Sequence, residues 1–585
     1  MSDRASAQDE TQKAYSLEEL STIDQTTQKD TCSDERPGGL PEWKWKAAVL
    51  IFIITGACSG QYQAVQYRDT NGTNIKSFFP GYDVSNVANI QPRLYEAFGN
   101  IELLPWIGLS YSLANFAVLS FARKIAYCFD LKWIYLVHLA IFMVGTAIGG
   151  ASKDIQTMIV ARVIMGWGGS VCQQINFSYV AILAKPAETA GLFGILSAMW
   201  AVGLVVGGPI GSALAENSHA TWRWAFYIKL PIVGLSFALA IICLPSRSLA
   251  TPNVPVWRRL VSIDPIGVVF NMIVPVLFAL ATTFSGPIWD WGSAASTAVW
   301  VVFAFALAAW ASQQYFCIFT TPEERAIPIH MFSKLRLLPI WVATGCAGAA
   351  YAVTLYYTPL FYAFARGHGA IQQTVRMLPF IIVFIFVVLF TGVLLTIIGR
   401  YKIIYLCAAT ITLAASIAMA TTMNDKVSEA QVMGIEALIG IGLGMQFQHG
   451  LGISNVINKT ERDRVDSTVI CNMVQMGSIA ITLSIAGCIF QNVGFNLLSS
   501  AVGRKQYSEE DIREALAGVS SVVWQTKDQQ VVARGIAAVT EVISREFYIV
   551  VASSAVCLVC AICMSSEKLD YGRKKSTKAT AAESS

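Results

Sequence analysis

Apolar residues along the chain fall into blocks of membrane-spanning length, separated by short polar turns. Such blocks begin near Leu104, Trp133, Thr157, Gly191, Trp224, Pro265, Ser296, Leu338, Val375, Tyr401, Gln431, Ser467 and Tyr548, thirteen in all. A transmembrane helix needs about 20 predominantly apolar residues, so each block predicts one. An earlier block from Ala47 is different. Its first half, AAVLIFIITGACSG, and its second half, YDVSNVANIQPRL, are separated by polar sequence containing Arg68, Asp69, Asn71, Gly72, Asn74 and Lys76. Counted once, the two halves make a fourteenth span.

Loop charge supports this count. With the N-terminus inside, the inner loops carry fifteen Lys and Arg residues, Arg123, Lys124 and Arg400 among them, against six in the short outer loops. An excess of that size orients a polytopic protein with its basic loops in the cytoplasm. The long segment Asn492–Arg545 is expected as an outer loop. An even count leaves both ends in the cytoplasm.

Composition agrees. Of 585 residues, 54% are hydrophobic and 14% charged, with a mean hydropathy of +0.52; soluble domains carry about 25% charged residues. A net charge of +4 is too small to imply a nucleic-acid partner. The first 44 residues are polar and read as a disordered tail. Twelve of the thirteen cysteines lie in or beside apolar blocks, which favours helix packing over a disulfide framework. The stretch CLVCAICM spaces three cysteines as a metal site would, but in an apolar span without His or carboxylate nearby; no metal and no cofactor is expected. No GxxxxGK[ST] loop is present to bind ATP.

Several motifs sit inside the blocks. ARVIMGWGGS places Arg162 within the fourth span, where a charge is costly unless it meets a partner or a water-filled cavity. Arg162, Gly166, Ser170 and Gln173 recur at helical spacing on one stripe, with Gln174 and Asn176 beside it. The bland alternative is an arginine snorkelling to the interface. GLVVGGPIGSAL carries Gly203, Gly207, Gly208 and Pro209, which let a helix bend and a neighbour lie close. ATWRWAFYIKLPIVG puts Trp222 and Trp224 where an aromatic belt would lie. FTGVLLTIIGRYK turns through Gly399 and Arg400, as suits a cytoplasmic hairpin.

As a set, these segments resemble the major facilitator superfamily, in particular the fourteen-span drug:proton antiporter branch found in fungi. WRWAFYIKLPI is similar to that branch's WRW-x-FYINLP signature, with Lys229 in place of Asn. IVARVIMGWGGS resembles its fourth-span R-x-x-x-G-x-G motif, and VGGPIGSAL its fifth-span antiporter motif. YYTPLFYAFARG with VRMLP, and GIGLGMQFQ, resemble later spans. ARKIAYCFDLKWIYL stands in the second-to-third loop but lacks the family's G-x-L-x-D-x-x-G-R-K, with Tyr127 near the expected Asp. DVSNVANIQP supplies Asp83, Ser85 and Pro92 at the spacing of the family's first-span D-x-T-x-x-x-x-x-x-P. In the family that pattern follows directly on the apolar half, so residues 61–80 read as an insertion: a retained intron or gene-model artefact, or else an extracellular excursion with a glycosylation sequon at Asn71.

The resemblance implies an all-α polytopic fold of two six-helix bundles, residues 45–245 and 337–566, joined by a linker with two extra spans, 246–336, and followed by a cytoplasmic tail, 567–585. It implies no enzymatic step. The expected activity is proton-coupled efflux of a small amphipathic compound, such as a secondary metabolite, toxin or drug, by a monomer in the plasma membrane or the vacuolar membrane. Proton-coupled uptake of a nutrient or iron-siderophore remains an alternative, as does a non-transporting sensor or inactive product. Coupling candidates are Asp83, Arg162 and Glu436, the last alternatively an interface carboxylate. Cavity candidates are Gln173, Gln174, Tyr351, Tyr356, Tyr357, Gln446 and Gln448; for the tyrosines, bundle packing is the alternative.

Overall fold

The computed structural model describes residues 41–58, 98, 104–196, 210, 214, 221–249, 254–261, 263–322, 324–503, 507–517 and 521–571. Among these, long helices follow one another in the order the blocks predict: α1 (Glu42–Cys58), α2 (Leu104–Cys128), α3 (Leu131–Ala151), α4 (Ile155–Leu183), α5 (Trp224–Cys243), α6 (Pro265–Phe284), α7 (Ala294–Phe316), α8 (Leu338–Arg366), α9 (Leu378–Ile398), α10 (Tyr401–Thr422), α11 (Glu429–Ile457), α12 (Glu461–Val502) and α13 (Gln529–Cys563). Eleven of them, α3 to α13, are long and apolar enough to cross a membrane. The expected block near Gly191 is described as helix only to residue 196. Residues 61–80 with Asn71, together with Asp83, Gly203, Gly207, Gly208 and Pro209, lie outside the described residues.

Short polar residues start many of these helices. Asp130, Asp154, Asp264, Ser293, Ser428, Thr460 and Asp528 each accept a hydrogen bond from a backbone N–H of the first turn, satisfying a donor that has no partner within the helix. Gly367 and Gly399 end α8 and α9 with φ of +64° and +68°. A side chain at Gly399 would also meet the Leu569 carbonyl at 2.8 Å, where Leu569 N–H donates to the Gly399 carbonyl. Arg400, next in the chain, is exposed at the N-cap of α10.

Two groups of helices pack separately. α2, α3 and α4 form one core, with α1 against α4 and α5, and α5 against α3. α8 to α13 form the other, with α13 lying against α8, α10 and α12. α6 and α7 pair with each other outside both, and α6 leans on α2 and α12. Asp264, buried at the start of α6, ties this pair down. It accepts hydrogen bonds from Gly267 N–H, the Gln313 and Gln314 amides of α7, and the Ala326 N–H of the following linker.

Helix ends gather at two opposite faces. Arg123, Lys334 and Asp463, with the C-terminal stretch near Leu569, share one face; Arg223, Arg366, His368 and Glu429 belong to the other. The first is the face predicted to be cytoplasmic and is called the basic face below.

Two sequence expectations change. Arg123 and Lys124, expected in a solvated loop, lie within α2 and are buried. Asn492–Arg545 is largely helical rather than a loop. α12 continues to Val502 and α13 begins at Gln529; between them stand a helix, Glu509–Ala517, and a turn, Val522–Gln525. Leu498, Ile512, Leu516, Val523 and Val531 are buried there, and the Trp524 ring lies 5.8 Å from that of Phe364. A hydropathy window sees only the part of a helix that is apolar all round; beyond the bilayer a helix keeps one apolar stripe.

This arrangement predicts where protease will act. On intact cells, added protease is expected to cut between Val502 and Gln529 and to spare tags fused at Met1 and Ser585. Digestion of either tag from outside would overturn the topology.

Candidate functional site

The seam between the two bundles is where polar side chains of distant sequence meet. Arg123 of α2 donates from Nε to Asp466 Oδ1 at 2.7 Å and from Nη2 to Asp466 Oδ2 at 3.0 Å. Both residues are almost fully buried. The Tyr127 hydroxyl donates to the same carboxylate at 2.8 Å, and Arg123 Nη1 donates to the Arg325 carbonyl at 2.9 Å. A buried pair of this two-pronged geometry keeps its charges only because every remaining group is hydrogen-bonded. His330 Nε2 lies 3.7 Å from Asp466 Oδ2, and burial holds that imidazole below its ordinary pKa.

The seam continues toward the membrane centre. Asn472 Nδ2 donates to Gln174 Oε1 at 3.1 Å, and Gln174 Nε2 to Thr468 Oγ1 at 3.4 Å. Small residues let the backbones meet: a side chain at Gly452 would reach Ala190 Cα at 3.2 Å, and one at Gly392 the Ala190 carbonyl at the same distance. Arg247, in the linker just after α5, pairs with Glu461 of the second bundle at 3.5 Å. Among the described residues, every hydrogen bond that joins the two bundles lies in the half nearer the basic face. The bundles are therefore closed on each other there.

Arg162 lies in the other half of α4. It is 1% exposed, so it does not snorkel to water. Its Nε donates to the Ile107 carbonyl at 3.0 Å, and its guanidinium sits 4.5 Å from the Tyr111 ring centroid. Gly166, one turn on, makes this approach possible: a side chain there would strike the Tyr111 carbonyl at 2.7 Å. A desolvated cation over an aromatic face gains about 2 kcal/mol, comparable with the about 2.5–3.5 kcal/mol that a central charge costs on insertion.

These two packed bundles, meeting along an internal seam, carry a family's sequence as well as its shape. The Major Facilitator Superfamily profile matches residues 77–490. The chain belongs to the Major Facilitator Superfamily. It is 33% identical over 446 residues to the efflux pump patC of Aspergillus clavatus, covering 76% of this chain and 80% of that one. It is 31% identical over 532 residues to the efflux pump DEP3 of Fusarium langsethiae, covering 90% and 92%. In fold it is similar to the crystal structure of the human organic anion transporter MFSD10, with a TM-score of 0.53 at 10% identity, covering 88% of this chain and all of that one.

Within this major facilitator chain the remaining candidates do not form one cluster. Gln173 is buried on α4 beside the seam. Tyr351 packs its ring 5.2 Å from Phe447 and 6.4 Å from Phe384, while Tyr357 packs on Phe490 at 5.7 Å. Tyr356 is 43% exposed and touches Tyr357. Gln446 Oε1 accepts from the Cys557 thiol at 2.9 Å, inside the second bundle. Gln448 is buried in a left-handed conformation, φ 58°, where α11 breaks. Glu436 is fully buried on α11, not at an interface, and among the described residues neither carboxylate oxygen has a hydrogen-bond partner.

Two features escaped the sequence. Glu546 is as buried as Glu436 and, among the described residues, equally without hydrogen-bond partners, on α13 beside Tyr357 and Cys488. Its neighbours in EVISREFYIV are polar, so the expected span began at Tyr548 and left it outside. Asp466 pairs with an arginine 343 residues away, and no local pattern marks it. Its signal is compositional: it is the second acid of DRVDS at the start of a span.

Proposed function

We propose that the chain is a proton-coupled efflux transporter of the plasma membrane, acting as a monomer on a small amphipathic compound. Membership of the superfamily and similarity to two fungal proteins named as efflux pumps support export. The observation that carries the mechanism is the inter-bundle lock at the basic face. Two bundles whose hydrogen bonds to each other, among the described residues, gather at one end form a bistable element of the kind alternating access requires. In this reading the Arg123–Asp466 bridge holds the cytoplasmic side shut. Export needs that bridge to break, the bundles to rock apart there, and the compound to enter between them. Protonation of a carboxylate, Asp83 or the buried Glu436, with Arg162 as charge partner on the first bundle, supplies the driving force. Gln173, Gln174 and Tyr351 offer hydrogen bonds to the polar parts of the compound. No bond of the compound is made or broken.

The test is efflux of a panel of fluorescent amphipathic compounds from cells carrying the chain, with and without a proton-gradient collapser. Energy-dependent loss of dye that the collapser abolishes is expected. Accumulation above the control would favour uptake on the same scaffold.

The first span supplies a separate prediction. A helix holding Arg68, Asp69 and Lys76 cannot lie in hydrocarbon, where each central charge costs about 2.5–3.5 kcal/mol. Deleting residues 61–80 rejoins the apolar half to the DVSNVANIQP half. Folded yield and efflux are expected to rise, and source transcripts to lack the corresponding codons. If transcripts keep them and the shortened chain transports worse, residues 61–80 are a native extracellular element.

A further inference from the structure

The two extra spans, α6 and α7, are fastened at opposite ends to opposite bundles. At the basic face the chain leaving α7 returns through residues 324–326, which lie between the pair and α2. Asp264 at the start of α6 accepts from the Ala326 N–H at 3.1 Å, and the Gln314 side-chain oxygen accepts from the Ile327 N–H at 3.3 Å. α2 holds the same short segment from its other side. The Arg325 carbonyl accepts from Arg123 Nη1 at 2.9 Å, and the Glu324 carbonyl accepts from Lys124 Nζ. Arg123 also holds Asp466, so the segment and the bridge share one guanidinium. Further into the membrane, Asn271 Nδ2 of α6 donates to the Ala117 carbonyl of α2 at 3.0 Å.

The opposite end of the pair is tied to the second bundle. After α6 the chain turns at Gly286, φ +98°, where a side chain would strike Asn492 Oδ1. Asn492 of α12 donates to the Ser285 carbonyl at 3.4 Å and accepts from Trp291 Nε1 at 3.0 Å. Arg513, on the short helix Glu509–Ala517, donates to the Gly286 carbonyl at 3.0 Å. The first bundle meets this end through the Trp106 ring, 5.7 Å from that of Phe284. Apolar contact is non-directional and tolerates sliding, whereas a hydrogen bond weakens steeply once its angle falls below about 120°. The polar ties therefore decide which bundle each end follows.

We propose that Asp264 and Asn492 are positioning residues for transport, and that α6 and α7 act between them as a diagonal strut that helps hold the basic face shut. This rests on the reading of the Arg123–Asp466 bridge as the lock. The two helices are bound to each other at both ends. Asp264 accepts from the Gln313 and Gln314 amides at the basic face, and the Ser285 and Ser296 hydroxyls lie 2.8 Å apart at the other. When two bundles rock about a central site, one face opens as the other closes. A strut pinned to the first bundle at one face and to the second at the other satisfies both pins in one arrangement, and the locked arrangement satisfies both. Opening the basic face therefore strains one pin or the other. The pins act in series, so losing either one releases the strut.

The test uses the full chain in membranes, with a cysteine introduced at Gln174 beneath the bridge and a polar alkylating reagent added from the basic side. Asn492→Ala removes the pin at the far end and suits a helix. It is expected to speed labelling about fivefold, the weight of one hydrogen bond. Asn492 stands 26 residues along α12 from Asp466, about 39 Å, so local loosening at one does not expose the other. Asp264→Asn keeps an oxygen for the Gly267 N–H but turns the other into an amide that cannot accept from Ala326; it should speed labelling by a similar factor. The two changes together are expected to label no faster than the faster single variant, because a strut cut twice is no looser than one cut once. Independent losses would instead multiply, to about 25-fold. Where Asn492→Ala does not reach the membrane, Trp291→Phe, which removes the other donor at that end from an exposed ring, carries the same test. An unchanged rate on loss of the far pin, or multiplied rates in the double variant, overturns the strut. If Arg123→Ala itself leaves labelling unchanged, the reading of the lock fails, and the strut falls with it.

Discussion

Arg123→Ala is expected to leave a chain that reaches the membrane but no longer holds its basic face closed. The substitution strands Asp466 in a buried site, and breaking one side of a buried pair costs about 3–5 kcal/mol. That is enough to reverse the balance between two bundle arrangements that differ by a few kcal/mol. Two readouts separate opening from unfolding. A cysteine placed at Gln174, beneath the bridge, should become reactive to a polar alkylating reagent added from the basic side. Efflux should fall by at least about tenfold, the equivalent of 1.4 kcal/mol on the transport barrier. The exchanged pair, Arg123→Asp with Asp466→Arg, should recover part of both. Unchanged labelling and efflux in Arg123→Ala would mean that the bridge is structural decoration. Tyr127→Phe removes one hydrogen bond to the same carboxylate and should give a smaller effect of the same sign.

Arg162→Ala is the second large effect. Efflux is expected to fall by about a hundredfold, because the change removes the only cation the described part of α4 places at that depth, and a buried charge in a transporter span is a functional group by default. Insertion into the membrane should improve slightly, since the cost of burying the guanidinium disappears. Arg162→Lys should not rescue. The planar guanidinium both donates to the Ile107 carbonyl and lies on the Tyr111 ring, and an ammonium is a poor substitute for that geometry. Surface labelling and efflux measured on the same cells check this; normal export by Arg162→Ala refutes it.

The fold was legible because lipid imposes a strong rule on sequence. Every backbone group must be satisfied within its own helix, so spans appear as long apolar blocks. The blocks near Leu104, Trp224, Pro265, Leu338 and Tyr401 begin where α2, α5, α6, α8 and α10 begin. The rule lapses where helices leave the bilayer. α13 starts nineteen residues before the expected Tyr548, and Glu546 was lost to that offset. Arg162 and Glu436 were visible as charges inside apolar blocks. The Arg123–Asp466 bridge was not, because pairing across bundles depends on which helices meet, and the chain gives no local sign of it. The altered loop motif drew attention to Tyr127 as a loss, yet its hydroxyl serves the bridge.

α12 has a consequence for how this protein can be handled. Its 42 residues give a rod about 63 Å long, roughly twice the hydrocarbon thickness of about 30 Å. With α13 and the short helix Glu509–Ala517 it raises a firm, asymmetric ridge above one membrane surface. A small transporter buried in a detergent belt offers an electron microscope little to align on. Here the ridge is a built-in fiducial and a rigid epitope, and an antibody fragment raised against it would add mass on that side without touching the seam where the bundles move.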